Sequence, residues 1–174
     1  GSSLTTYQEW NGGYPMNTGG GVTISMNGHD EPWIVHGSDA GIVRAWEITS
    51  QTNHDLAWTS EAGENDNLLY SLEGGKNYGV AMANLDDDDS LEVVVGSGSG
   101  RIYVFDGSTY EVQWVSSVLD KIPIGIAIGD LDNDGNNDIA VTTGNPGEPK
   151  DDEGNGGEGY LYVFEKSGTS FTQA

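Results

Sequence analysis

Two short stretches of this chain space their carboxylates as a metal ion would require. The better preserved is Asp130-Leu131-Asp132-Asn133-Asp134-Gly135-Asn136-Asn137-Asp138, with acidic side chains at its first, third, fifth and ninth positions. A loop this short can curl around one cation, and Gly135 permits the sharp turn that curling needs. Calcium is the cation that suits it: it takes about 6–8 oxygen ligands at roughly 2.3–2.6 Å, and alternate residues of a tight loop direct oxygens to a common centre. The expected ligands are the side chains of Asp130, Asp132, Asp134 and Asp138 and the main-chain carbonyl of Asn136. A solvated turn would use the same residue types. Four neighbouring carboxylates with no counter-ion would repel one another, which favours the metal.

The loop is not of the helix-loop-helix kind, whose twelfth position is a bidentate Glu; here that position is Val141. It is preceded by Ile122-Pro-Ile-Gly-Ile-Ala-Ile-Gly129 and followed by Ile139-Ala-Val-Thr-Thr-Gly144, short β-branched runs without helical period. The loop therefore joins two strands.

A second copy lies 46 residues upstream, where Gly79-Val-Ala-Met-Ala-Asn84-Leu-Asp86-Asp-Asp88-Asp-Ser90-Leu-Glu92 aligns with Gly125 to Asp138. Asn84, Asp86, Asp88 and Glu92 fall on the side-chain ligand positions and Ser90 on the carbonyl position. Asp89 stands in place of the turn glycine, which makes the turn less comfortable. The repeat continues outside the loop: Gly100-Arg-Ile-Tyr-Val-Phe105-Asp is echoed by Gly159-Tyr-Leu-Tyr-Val-Phe164-Glu and by Gly41-Ile-Val-Arg-Ala-Trp46-Glu. In the first unit, Gly21 to Ser25 leads into Met26-Asn-Gly-His29-Asp30-Glu-Pro32, a loop one residue shorter that has lost most of its carboxylates and is assigned no metal.

Each unit reads as four short strands, such as Val80–Ala83, Leu91–Val95, Ile102–Phe105 and Glu111–Ser116. The second and third are nearly continuous apolar runs, so both of their faces must be covered. Units of about 40–50 residues with four strands each point to an all-β chain of β-propeller blades. The expected organisation is an N-terminal segment 1–20, a first blade at 21–60, an insert at 61–78, a second blade at 79–120 and a third at 121–174 carrying an acidic insert at 145–158.

On these residues the chain resembles the FG-GAP repeats of integrin-α-like β-propellers, in which an Asp-x-Asp-x-Asp-Gly-x-x-Asp loop joins the first two strands of a blade. The likeness spans Gly21 to Phe164 and is strongest from Gly125 to Val141. It implies a calcium-stabilised blade in a secreted or cell-surface protein, one to two calcium ions, and loops that bind a protein or glycan. The departures are Asn84 for Asp, Asp89 for Gly and Glu92 for Asp.

Three blades do not close a ring, since propellers contain about 4–8. Thr6-Tyr-Gln-Glu-Trp10 resembles the outer strand Tyr110-Glu-Val-Gln-Trp114, while Ser170–Ala174 reads as an incomplete fourth strand. Two arrangements follow: further blades in a larger chain, or a homodimer forming a six-bladed ring in which Leu4–Trp10 of one copy completes the last blade of the other.

Composition narrows the partners. With 28 Asp and Glu against 6 Lys and Arg, the net charge is −22, and nucleic acid is excluded for want of clustered cations. Two divalent ions would offset only four of those charges; a salt-rich habitat or further cation sites, the segment Lys150–Glu158 among them, would account for the rest. No apolar stretch approaches the ~20 residues of a membrane span, so no direct membrane insertion is expected. There is no cysteine, so calcium would take the place of disulfide cross-links.

No sequence signature of a catalytic site is present, and His29, His36 and His54 lack a zinc spacing. The primary reading is a non-enzymatic binding module. Its rivals are a polysaccharide lyase or hydrolase on a propeller scaffold and a self-assembling structural repeat. Trp33 and Trp58 are candidates to line a ligand groove, against the plainer role of packing blades together.

Overall fold

The computed structural model describes residues 22–26, 32–37, 41–50, 55–60, 77–86, 88–145, 158–168 and 170–174. The β-branched runs form strands: β1 (Val22–Met26), β2 (Pro32–Gly37), β3 (Val43–Glu47), β4 (Asp55–Thr59), β5 (Asn77–Ala83), β6 (Glu92–Ser97), β7 (Ile102–Phe105), β8 (Val112–Val115), β9 (Ile122–Gly129), β10 (Asp138–Gly144), β11 (Tyr160–Ser167) and β12 (Ser170–Gln173). They make three antiparallel four-stranded sheets, each in sequence order: β1 to β4, β5 to β8 and β9 to β12. The chain is all-β, three propeller-like blades, as its repeats predict.

The repeat is also a repeat of register. Ala83 pairs with Glu92 and Val80 with Val95 in the second sheet; Gly129 pairs with Asp138 and Ile126 with Val141 in the third. Each pair is displaced by the same 46 residues. In both blades the acidic last position of the loop is thus also the first residue of the second strand.

Strand side chains alternate between faces, and the middle sheet buries both. Val93, Val95, Tyr103 and Phe105 pack toward the first sheet against Trp33, Val35, Val43 and Ala45. Val94, Ile102 and Val104 turn the other way, with Leu85, against Ile139, Val141, Phe164 and Phe171 of the third. That two-sided burial is why the middle strands read as unbroken apolar runs. Glycine permits the close stacking: a Cβ at Gly79 would lie 2.9 Å from Cγ1 of Ile126, and one at Gly96 2.8 Å from both Cβ and the carbonyl oxygen of Pro123. Gly96→Val is therefore expected to lose about 2–3 kcal/mol through overpacking, read as a lower urea midpoint at unchanged slope.

Two expectations are corrected. The chain does not end in an incomplete strand: β12 pairs with β11 from Phe164↔Gln173 to Ser167↔Ser170, through a tight turn in which Gly168 has φ 65°. The third blade is completed by its own residues, so it does not need a strand donated by Leu4–Trp10 of another copy. The insert placed at 61–78 also ends earlier, because β5 begins at Asn77. The N-terminal segment 1–20, the shortened loop of the first unit and most of the inserts 61–78 and 145–158 lie outside the described residues.

Candidate metal centre

Both acidic loops are first-to-second-strand connections, β5 to β6 and β9 to β10, and they lie side by side: the carboxamide Nδ2 of Asn137 donates to the carbonyl of Asn84 at 3.0 Å. Within each loop the same bonds recur 46 residues apart. The Leu85 N–H donates to Oε2 of Glu92, and the Leu131 N–H to Oδ2 of Asp138 at 3.1 Å. Oδ1 of Asp86 accepts from the Asp88 N–H at 3.2 Å, as Oδ1 of Asp132 does from the Asp134 N–H at 3.0 Å. Asp88 Oδ1 accepts from the Ser90 N–H at 2.6 Å, as Asp134 Oδ1 does from Asn136 at 2.7 Å. Side-chain oxygens capping main-chain N–H groups two residues on are what curl each loop.

This curling gathers carboxylates. One oxygen from each of Asp86, Asp88 and Glu92 lies within 4.8 Å of the others, and the same holds for Asp130, Asp132 and Asp138. Oxygens on opposite sides of one calcium ion are about 4.6–5.2 Å apart, twice the usual bond length. Each cluster therefore fits a single hard cation.

The buried members carry the fit furthest. Glu92 is 0% exposed and Asp138 2%, at the inner end of each cluster, and Oε1 of Glu92 has no hydrogen-bond partner among the described residues. Burial pushes the Glu92 carboxyl up to about 7, the main-chain N–H groups of Leu85, Glu92 and Gly107 opposing and the charge of Asp86 adding to it. A buried carboxylate oxygen with no partner costs free energy unless a cation faces it. In the second loop the equivalent residue is better served: Asp138 Oδ1 also accepts from the Lys166 N–H at 3.2 Å. Asp86 is tied to the outer strand of its blade by Nε2 of Gln113 at 2.7 Å.

The expected ligand sets are met in part. Asp130, Asp132 and Asp138 converge, but Asp134 does not join them: both its oxygens accept from Asn136, the second from Nδ2 at 2.9 Å. The first-position residues differ in role. Asp130 accepts from the N–H groups of Asp134 and Gly135, both at 3.1 Å, whereas Asn84 donates Nδ2 to the carbonyl of Asp88 and so clamps its loop without adding charge. The N–H groups of Ser90 and Asn136 donate to the preceding ligand position. Gly135 does adopt positive φ, 93°, and Asn133 joins it at 64°. Positive φ among described non-glycine residues is confined to Asn133 and Tyr110, so Asp89 sits in the glycine's place with ordinary backbone angles. Gly135→Ala should accordingly cost about 1 kcal/mol through left-handed backbone strain, measurable as a lower melting temperature.

Trp33 and Trp58 both pack on the ring of Tyr110. Trp33 is buried and stacks on Tyr110 with centroids 6.0 Å apart, and half-buried Trp58 stacks on that same ring at 5.5 Å and tilts against Phe105 at 5.1 Å. Their role is to pack the first blade on the second. His36 is likewise structural: it is buried, its Nε2 accepts from the Trp46 indole at 3.2 Å and its Nδ1 faces the Gly37 carbonyl at 3.2 Å, while burial lowers its pKa. Sequence reasoning missed Tyr110; its φ of 62° is held by the turn Asp106–Tyr110, and no composition rule marks a tyrosine for that conformation.

No family model and no curated protein matches this chain. Solved propellers are similar in fold. A chain of the mitotic checkpoint complex superposes with a TM-score of 0.56 at 12% identity, covering 88% of this chain and 38% of that one. A Bombyx mori GH32 β-fructofuranosidase superposes with a TM-score of 0.52 at 14% identity, covering 88% and 36%. The chain thus spans a little over a third of the length of these neighbours, and at such identities the likeness is one of fold alone: a partial β-propeller carrying two acidic clusters able to hold a metal ion.

Proposed function

We propose that this chain is a non-enzymatic calcium-binding propeller module of the FG-GAP kind, in which calcium braces the first-to-second-strand hairpins of the second and third blades. The observation that carries this reading is the recurrence, at one register position of two blades, of a buried carboxylate (Glu92, Asp138) facing two further carboxylates within 4.8 Å. Asp86, Asp88 and Glu92 would hold one ion, and Asp130, Asp132 and Asp138 the other. When bound, the ion supplies the positive charge that lets these acidic side chains converge.

The chain's own residues supply the rest. Asn84 and Asp130 tie the start of each loop to its middle, and the buried acid tethers the loop to the second strand. Asp130, Asp132 and Asp88 are exposed, so water competes for their partners and affinity is expected within the range of extracellular calcium modules, at Kd about 10⁻⁴ M. Such sites fill where calcium is millimolar, which supports an extracellular or cell-surface setting and loops that present a surface to protein or glycan. Metal analysis after dialysis against ~2 mM calcium should find close to two calcium ions per chain and no enrichment of magnesium, which needs a tighter octahedral shell. A chain that retains neither ion sinks the proposal.

A further inference from the structure

Asn137 departs from the repeat that organises both loops. Its counterpart 46 residues upstream is Leu91, so it holds no ligand position that the two loops share. Instead its carboxamide leaves its own loop: Nδ2 donates to the main-chain carbonyl of Asn84, the first residue of the second blade's loop, at 3.0 Å. This hydrogen bond joins the two metal clusters at their anchored ends. Asn137 directly precedes Asp138, the buried acid of the third blade, and Asn84 directly precedes Leu85, whose N–H donates to Oε2 of Glu92, the buried acid of the second. The neighbouring side chains are fixed too: Leu85, and Ile139 that follows Asp138, are 2% and 0% exposed in one apolar core between the blades. Asn84 is in turn held to the middle of its loop by Nδ2, which donates to the Asp88 carbonyl. The polar residue stands where it has a second acidic loop to reach. Leu91 takes the same place in the second blade, and the unit before that blade has lost most of its loop carboxylates.

We propose that Asn137 is the positioning residue that couples the two metal sites, a role that rests on reading both loops as calcium sites. An ion in the third blade's loop raises the affinity of the second blade's loop and, by linkage, the reverse holds. An ion gathered by Asp130, Asp132 and Asp138 immobilises the residue just before Asp138, and with it the carboxamide that holds Asn84. Asn84 then fixes the start of its loop through the Asp88 carbonyl and sets the Leu85 N–H on Glu92. Asp86, Asp88 and Glu92 are thus ordered before their own ion arrives, and a site already ordered loses less conformational freedom on binding. Repulsion between the two bound ions acts in the opposite direction. It is screened over about 8 Å at physiological ionic strength, whereas the bridge is a direct, partly buried contact, so positive coupling prevails. One such hydrogen bond carries a coupling of about fivefold.

Calcium titrations by isothermal calorimetry at ~0.15 M KCl measure the coupling, with Glu92→Gln and Asp138→Asn each leaving one strong loop. The two-ion binding constant of the wild-type chain should exceed the product of the two single-loop constants by about fivefold. That excess should vanish when Asn137→Leu, which has no donor, is placed in all three proteins. Asn137→Asp also lacks a donor but adds a negative charge beside the loop; it should strengthen calcium binding there and still abolish the excess, which separates the bridge from simple electrostatics. Amide hydrogen exchange gives a readout independent of affinity. In Glu92→Gln at a calcium concentration that fills only the third blade's loop, the Asp88 and Ser90 amides of the second blade's loop should exchange about threefold more slowly than in chelator, and adding Asn137→Leu should remove that protection. A wild-type chain that binds no calcium overturns the metal reading and the coupling with it. Two ions bound independently or with negative coupling, or a positive coupling that survives both Asn137 variants, overturns the role of Asn137 while leaving the calcium sites in place.

Discussion

Chelation at pH 7.5 is expected to lower the melting temperature of this protein by roughly 8–15 °C, and ~2 mM calcium to restore it. A ligand that binds only the folded state stabilises by RT ln(1 + [L]/Kd), about 1.8 kcal/mol per loop at twentyfold Kd, so two loops give about 4 kcal/mol. In a domain of this size each kcal/mol moves the midpoint by about 2–4 °C. Each loop joins the first two strands of its blade, and together they hold six gathered carboxylates, Asp86, Asp88, Glu92, Asp130, Asp132 and Asp138. Differential scanning calorimetry with calcium, with magnesium and with chelator measures the effect. An unchanged midpoint on chelation would remove calcium's bracing role.

Glu92→Gln should separate the two demands on the buried acid. In the chelated protein the Glu92 carboxyl, raised to about 7 from 4.5 by burial, binds its proton more tightly folded than unfolded. Its favourable contribution is therefore complete below about pH 4.5 and is lost as the pH rises through about 7. The shift corresponds to about 2–3 kcal/mol. Gln keeps an acceptor for the Leu85 N–H but carries no charge. The chelated variant should consequently melt about 4–8 °C higher than the chelated wild type at pH 8 and no higher at pH 4.5, while its calcium affinity at that loop falls at least tenfold. A variant that is destabilised at pH 8 in chelator and still binds calcium as tightly as wild type would show that Glu92 serves packing alone.

Much of this was legible in the residues. The 46-residue offset between the two loops survives as a 46-residue offset in strand register and in the bonds of Leu85 to Glu92 and Leu131 to Asp138. The unbroken apolar runs at β6 and β7 foretold a sheet covered on both faces, because a strand with one wet face must alternate. Three features were not legible. Asp134 turns to Asn136 rather than to the cluster, since a carboxylate in a tight turn can cap a local N–H as readily as face a shared centre. The outer strand β12 carries only Phe171 as a buried apolar residue among its four, too weak a pattern to distinguish a complete edge strand from a frayed end. The tryptophans point inward because Tyr110 is folded over between them, an arrangement that depends on a backbone angle rather than on spacing. Sequence spacing located the acidic loops; only the fold revealed that each has a buried anchor.

The most direct test is a calcium titration of chelator-treated protein by isothermal calorimetry, wild type beside the double variant Glu92→Gln/Asp138→Asn. Both substitutions preserve size and an acceptor at the buried anchor, so the strands they begin should remain paired. Two ions per wild-type chain, and at least tenfold weaker binding at both loops in the double variant, is the result predicted here. Wild-type protein that binds no calcium, or a double variant that binds two ions as tightly as wild type, would contradict it.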